Sequence, residues 1–258
     1  MTKNKICLVL LVSLLRIITI ACAEEAEFAN ILLKNKLKGT ILISSLDGKM
    51  KYSFNDARSQ MRFVPASTFK ILNTLIALEE GAISNEKETI KWDGNDKGIP
   101  AWNKDQTIET AFSCSCVWFY QELARRIGGD KYKRYLRRVG YGNQSFGPEI
   151  DTFWLNGNLK ISAAEQLAFL KRVYSRVFEF KSSSYDILRK IMTLEQTHEY
   201  IIRGKTGWSN QIGWFVGYVE SNENTWFFAI NLDIKTMKDC HFRQEVAFEA
   251  LRAKGIIK

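Results

Sequence analysis

"PASTFK", residues 65–70, sets a serine and a lysine three positions apart immediately after a proline. On a helix, Ser67 and Lys70 fall on neighbouring turns of one face, close enough for an amine to take a hydroxyl proton. The spacing alone is a weak signal. It recurs at Ser84 and Lys87 in the polar stretch "SNEK", where nothing suggests chemistry. A bland alternative also stands: Ser67 or Thr68 helps a helix begin while Lys70 reaches into water. The residues on either side carry the argument further. Phe69, Leu72, Leu75 and Leu78 recur at helical spacing and Gly81 closes the run, so the pair opens a mostly apolar helix. Pro65 suits the entry of such a helix and would break its interior. The first turn offers unpaired N–H groups and a potential that favours negative charge.

Working outward, "GTILISSLDGKMKYSFND" predicts two strands around a tight turn at Asp47-Gly48. A short helix precedes them. "IETAFSCSCVWFYQELARRIG" reads as one helix, "DKYKRYLRRVGYG" as a shorter one and "LKISAAEQLAFLKRVYSR" as another. Ser162 and Glu165 have capping-box spacing, which makes Ser162 structural. "YGNQSFGPEIDTFWLNGN" is rich in Gly and Asn and predicts a long loop. "YIIRGKTGW", "IGWFVGYVE" and "NTWFFAINLDI" return to strand patterning, and residues 241–254 end the chain as a helix. The order predicts an α/β fold in which both ends of the chain build one mixed, mainly antiparallel sheet flanked by helices, with a helical lobe inserted between. The sheet lobe is expected over about 24–65 and 196–258, and the helical lobe over about 66–195.

Residues 1–23 have a basic start, an apolar run and a small-residue end at Ala21-Cys22-Ala23, the pattern of a secretory signal peptide. Export to the periplasm is the expectation. Lipid attachment at Cys22 is the weaker alternative, because Thr19 fits poorly the small aliphatic position such a signal requires. Removing the segment takes away Lys3, Lys5 and Arg16 and lowers the formal charge from +9 to +6. That balance favours anionic small molecules and does not point to nucleic acid. No specific protein partner is legible. Three cysteines remain in the 235 residues left, Cys114, Cys116 and Cys240, too few and too odd for a disulfide framework. On a continuous helix Cys114 and Cys116 point apart, which makes "CSC" a poor metal clamp, and His198 and His241 supply no zinc motif. No metal is expected, and no Ser-His-Asp triad can be assembled around His241.

Three signals then converge in one order: Ser67-Thr68-Phe69-Lys70, Ser115-Cys116-Val117 and Lys205-Thr206-Gly207. Such a combination is that of serine β-lactamases and penicillin-binding proteins. With "PASTFK", "YGN", "DTFWL", "GKTGW" and "FRQE" in sequence, residues from about 39 to 253 closely resemble the class D serine β-lactamases, the oxacillinase group. The resemblance implies their transpeptidase-like fold and hydrolysis of penicillin-type β-lactams. It implies Ser67 as nucleophile and Lys70, carboxylated by carbon dioxide or bicarbonate to N6-carboxylysine, as general base. Ser115 is then a proton shuttle and Lys205 its electrostatic support. The N–H groups of Ser67 and Trp208 face the oxyanion, and Thr206, Gly207 and Arg243 bind substrate, with Arg243 receiving its carboxylate. Val117, Trp154 and Leu155 would wall the base in apolar surroundings, which disfavour a charged ammonium. Two alternatives remain at this stage: a penicillin-binding sensor that keeps its acyl group, and a D-Ala-D-Ala transpeptidase or carboxypeptidase.

Overall fold

The computed structural model describes residues 26–258. The expected export signal over 1–23, with Cys22, lies outside the described residues. Among those residues no helix is long and apolar enough to cross a membrane.

Six strands form one sheet: β1 Gly39–Ser45, β2 Lys51–Phe54, β3 Thr193–Gln196, β4 Tyr200–Ser209, β5 Ile212–Ser221 and β6 Thr225–Asp233. Their order is β2-β1-β6-β5-β4-β3, and every neighbouring pair is antiparallel. The β1–β2 turn sits at the expected Asp47-Gly48, where Gly48 takes a φ of 75° that a side chain would resist. Because side chains alternate along a strand, the sheet feeds two cores. Trp214, Val216 and Tyr218 of β5 point into the larger one, shared with the intervening helices. Phe215 and Val219 point into the smaller one, closed by a first helix, α1 at 26–34, and by α9, Phe242–Ala253.

Between the two groups of strands lie α2 Asp56–Gln60, α3 Lys70–Glu79, α4 Ile108–Ser113, α5 Val117–Ile127, α6 Gly129–Val139, α7 Ala163–Tyr174 and α8 Ser182–Ile191. The capping box at Ser162 and Glu165 opens α7 as read from sequence. The long loop over "YGNQSFGPEIDTFWLNGN" is organised by its own motif. The Asn143 N–H donates to the Lys160 carbonyl, its side-chain Oδ1 accepts from the Lys160 N–H, and its Nδ2 donates to the Asn158 carbonyl at 2.8 Å. Gly142 lies so close that a Cβ there would sit 2.1 Å from the Lys160 carbonyl oxygen.

The sheet is antiparallel throughout and has none of the parallel pairing that a mixed sheet would show, because each pair of neighbouring strands is joined as a hairpin or, for β1 and β6, runs across the sheet in opposite directions. One helix also departs from expectation. The single helix read over "IETAFSCSCVWFYQELARRIG" is two helices, α4 and α5, broken at Ser115, whose φ of 56° lies in the left-handed region. The Cys116 N–H turns back to the Ala111 carbonyl at 2.8 Å, and the Cys114 carbonyl is taken by the Trp102 indole N–H at 2.9 Å. One wider local bond and one tertiary bond thus replace the ladder that an unbroken helix would use. The same break corrects the picture of Cys114 and Cys116 pointing apart, since they cap two different helices across one residue.

Candidate active site

A 3-10 turn, Ala66–Phe69, carries Ser67 and runs directly into α3, whose first residue is Lys70. The turn is held from the sheet side: the Trp214 indole donates to the Val64 carbonyl at 2.9 Å. Ala66 has a φ of 49°, an unusual conformation for alanine, and its strain sets the direction in which Ser67 emerges. The Lys70 ammonium nitrogen stands 2.9 Å from Ser67 Oγ. Lys70 is wholly buried, and Nζ lies 5.0 Å from the centre of the Tyr120 ring. Burial pulls its pKa from an ordinary 10.5 down to about 7, opposed only weakly by the thiols of Cys116 and Cys114. A neutral amine next to the serine is therefore available near neutral pH.

The break between α4 and α5 brings Ser115 to the same place. Its hydroxyl accepts a short hydrogen bond from Lys205 Nζ on β4. Lys205 is buried, with its nitrogen 5.3 Å from the centre of the Phe112 ring. Desolvation drives its pKa well down, and the nearby charges of Lys70 and Arg243 push the same way.

The sheet leaves room for a ligand here. β3 pairs with β4 only as far as Arg203, and a last bond joins the Gly204 N–H to Met192. Beyond it, from Lys205 to Ser209, β4 has β5 on one side and no strand on the other. Gly207 crosses beside the 3-10 turn, and a Cβ there would lie 3.0 Å from the Pro65 oxygen and 3.2 Å from the Ser67 nitrogen. Glycine is what lets the strand edge come this near the serine. A cleft of about 410 Å³ opens along this edge, with Ser67, Ser115, Val117, Leu155, Thr206, Gly207, Trp208 and Arg243 on its walls. Arg243, at the start of α9, donates from Nε to the Cys240 carbonyl at 2.6 Å and from Nη1 to the Gly207 carbonyl at 2.9 Å. Those bonds fix the guanidinium and leave its other donors free for a ligand.

Trp154 differs from the rest. It is fully buried, does not line the cleft, and stacks on Phe69 with ring centres 5.7 Å apart. Its indole N–H has no hydrogen-bond partner. An unpaired buried donor is costly, and because Trp154 stacks on Phe69, the residue before Lys70, a carboxylate carried by that lysine is the kind of acceptor that would satisfy it. The donor set thus fits a carboxylated Lys70.

Further walls come from Ile99, Trp102, Met237 and Cys240. Reading the sequence did not assign them to the site. Ile99 and Trp102 come from in and beside a 3-10 turn, Pro100–Trp102, whose indole is bonded into the α4–α5 break, and Met237 and Cys240 from another, Met237–His241, that leads into Arg243. Among the described residues the cleft wall contains no Asp, Glu or His. His198 and His241 stand elsewhere, the latter bonded through Nδ1 to the Lys238 carbonyl. Ser84 and Lys87 are exposed, as the polar setting of that second spacing suggested. Among the described residues no cluster of His, Cys, Asp and Glu could hold a metal ion. The site can therefore activate a serine hydroxyl with an amine and attract an anion with Lys205 and Arg243.

Residues 32–252 match the penicillin binding protein transpeptidase domain family. The β-lactamase OXA-48 of Klebsiella pneumoniae is 39% identical over 228 residues, 87% of this chain and 86% of that protein. The crystal structure of the class D β-lactamase YbXI from Nostoc superposes with a TM-score of 0.87 at 43% identity, covering 89% of this chain and 99% of that one. The regulatory protein BlaR1 of Bacillus licheniformis is 35% identical over 90% of this chain and 39% of its own length.

Proposed function

The chain belongs to the class D β-lactamases, within the penicillin-binding-protein transpeptidase family, and we propose that it opens penicillin-type rings through an acyl-enzyme on Ser67 with Lys70 as the base. The observation that carries this reading is the fully buried Lys70, 2.9 Å from Ser67 Oγ, beside a cleft on whose walls the described residues include no carboxylate or histidine. Neutral Lys70 takes the Ser67 proton as Oγ attacks the lactam carbonyl carbon. Charge gathers on the carbonyl oxygen, towards which the N–H groups of Ser67 and Trp208 are proposed to point. As the ring C–N bond breaks, the nitrogen leaving group takes a proton from Ser115, and the proton that Lys70 took from Ser67 returns to Ser115 by way of the short Ser115–Lys205 hydrogen bond, leaving both lysines as they began. Arg243 and Thr206 hold the substrate carboxylate, so that ring and serine meet in one orientation.

Hydrolysis of the resulting ester needs a base for water. Carbon dioxide, bound to Lys70 as a carbamate, would supply a carboxylate-like base in place of the amine. Trp154 offers it the unpaired indole N–H, while Val117 and Leu155 keep bulk water from the lysine.

The similarity to BlaR1 favours a second reading, a penicillin sensor acylated on the same serine. Purified protein given excess benzylpenicillin separates the two. Many product molecules per protein are expected. One rapid equivalent followed by a plateau would replace the hydrolytic reading with the sensor.

A further inference from the structure

All three free cysteines of the described residues gather at this one site: Cys114 and Cys240 line the cleft, and Cys116 is buried directly beneath it. Cys114 and Cys116 flank Ser115, the residue whose hydroxyl meets Lys205. We propose that these two form a peroxide-sensitive dithiol, and that its closure to a disulfide across Ser115 reversibly disables the catalytic site.

Geometry brings the pair together. A left-handed residue between two cysteines folds their Cα atoms to within about 6 Å, inside the range that disulfides span. The α4–α5 break supplies that residue, with Ser115 at a φ of 56°. Each thiol shifts the other: the neighbouring Cys116 holds the Cys114 thiol below its ordinary pKa, and Cys114 pushes that of Cys116 up. Cys114 Sγ makes only a long contact of its own, 4.0 Å to the Ala101 carbonyl. Lys205 in its protonated form favours the Cys114 thiolate further. Cys114 is half-buried on the cleft wall and within reach of a small oxidant, whereas Cys116 is enclosed. One is placed to react and the other to resolve. Cys240 stands apart, its thiol directed to the Thr236 carbonyl and its pKa raised by burial.

The chemistry balances with a peroxide as oxidant. The Cys114 thiolate attacks one peroxide oxygen, the O–O bond breaks, and the departing hydroxide gains a proton to become water. The Cys116 thiol then attacks the sulfenic sulfur of Cys114. The S–S bond forms, the S–O bond breaks, and the hydroxyl leaves with the Cys116 proton as a second water. Two thiols and one peroxide become one disulfide and two waters. The link closes a small ring containing Ser115, whose hydroxyl must turn away from Lys205. The effect on turnover rests on the hydrolytic reading above; formation of the link does not.

The full-length protein, reduced and then treated with dilute hydrogen peroxide, should become lighter by two hydrogens, and a peptide map should show Cys114 joined to Cys116. Penicillin turnover and labelling by a fluorescent penicillin should both fall by about tenfold or more. Dithiothreitol should restore them. Each variant is compared with its own reduced form: Cys240→Ser should keep the link and the reversible loss, while Cys116→Ala should lose the component that dithiothreitol recovers. No link, a link to Cys240, or a linked protein with undiminished labelling overturns the proposal. A reduced protein that labels but never turns over sinks only the hydrolytic reading, because map and labelling still decide the dithiol.

Discussion

Gly207→Ala tests whether the closeness of β4 to Ser67 is itself part of catalysis. The added Cβ would stand 3.0 Å from the Pro65 oxygen and 3.2 Å from both the Ser67 nitrogen and Thr68 Cγ2, where ordinary contact begins at 3.4 Å. Two of these neighbours are backbone atoms of the turn that carries the nucleophile, so they cannot rotate away. The strand edge and the turn must part by a few tenths of an ångström. A misplacement of about 1 Å can cost a hundredfold in rate, so this smaller one should slow acylation by roughly tenfold, about 1.4 kcal/mol. The assay is single-turnover acylation by a chromogenic β-lactam, with urea denaturation run in parallel. Gly204→Ala is the control: its Cβ would meet the Phe215 ring at 2.8 Å and the Val216 oxygen at 3.0 Å, away from the serine. It should destabilise the fold by about 1–3 kcal/mol through overpacking and leave acylation of the folded fraction unchanged. The reasoning is refuted if folded G207A acylates at the wild-type rate, or if both variants slow acylation alike.

Lys70→Met should abolish turnover and yet stabilise the protein at pH 7 without bicarbonate. Burial pulls Lys70 from 10.5 to about 7, so in that window the unfolded chain binds a proton that the native chain lacks, and native stability falls as pH falls. The relief is at most about 5 kcal/mol, and a lower urea midpoint for K70M at pH 7 would contradict it. Arg243→Ala should cost about 2 kcal/mol in kcat/KM for a penicillin by removing a charge-assisted clamp. A neutral ester analogue should be spared, and an equal loss for both substrates would make Arg243 a prop of the Gly207 carbonyl instead. Trp154→Ala should accumulate acyl-enzyme, visible by intact mass, with added bicarbonate recovering part of the turnover. Normal product release by W154A would remove the indole from the account of the base.

The parts of this site that were legible in the sequence are those in which chemistry and local structure coincide. The segment around Ser67 and Lys70 carries its helix signal in the apolar residues that follow, and Lys205-Thr206-Gly207 lies within strand patterning that continues through "IGWFVGYVE". The α4–α5 break was hidden because hydrophobic periodicity reports which face is buried, not the sign of φ. The run from Ile108 to Ile127 keeps helical spacing on both sides of Ser115, and only the bonds to Trp102 and Ala111 reveal the interruption. The serine-rich start of α8, Lys181-Ser182-Ser183-Ser184, likewise masks a helix whose Tyr185, Leu188 and Ile191 are buried. Trp102, Ile99 and Met237 reach the cleft through tertiary packing, which leaves no trace in the spacing of their neighbours.

β3 is only four residues long, and its pairing with β4 stops at Arg203. The doorway to the nucleophile is therefore framed by where one edge strand ends. Such a frame presents an arriving ring with a sill of main-chain donors and acceptors. It also means that the aperture has a length written in residues. Carrying β3 further along its neighbour would shutter the serine while leaving every side chain of the site in place.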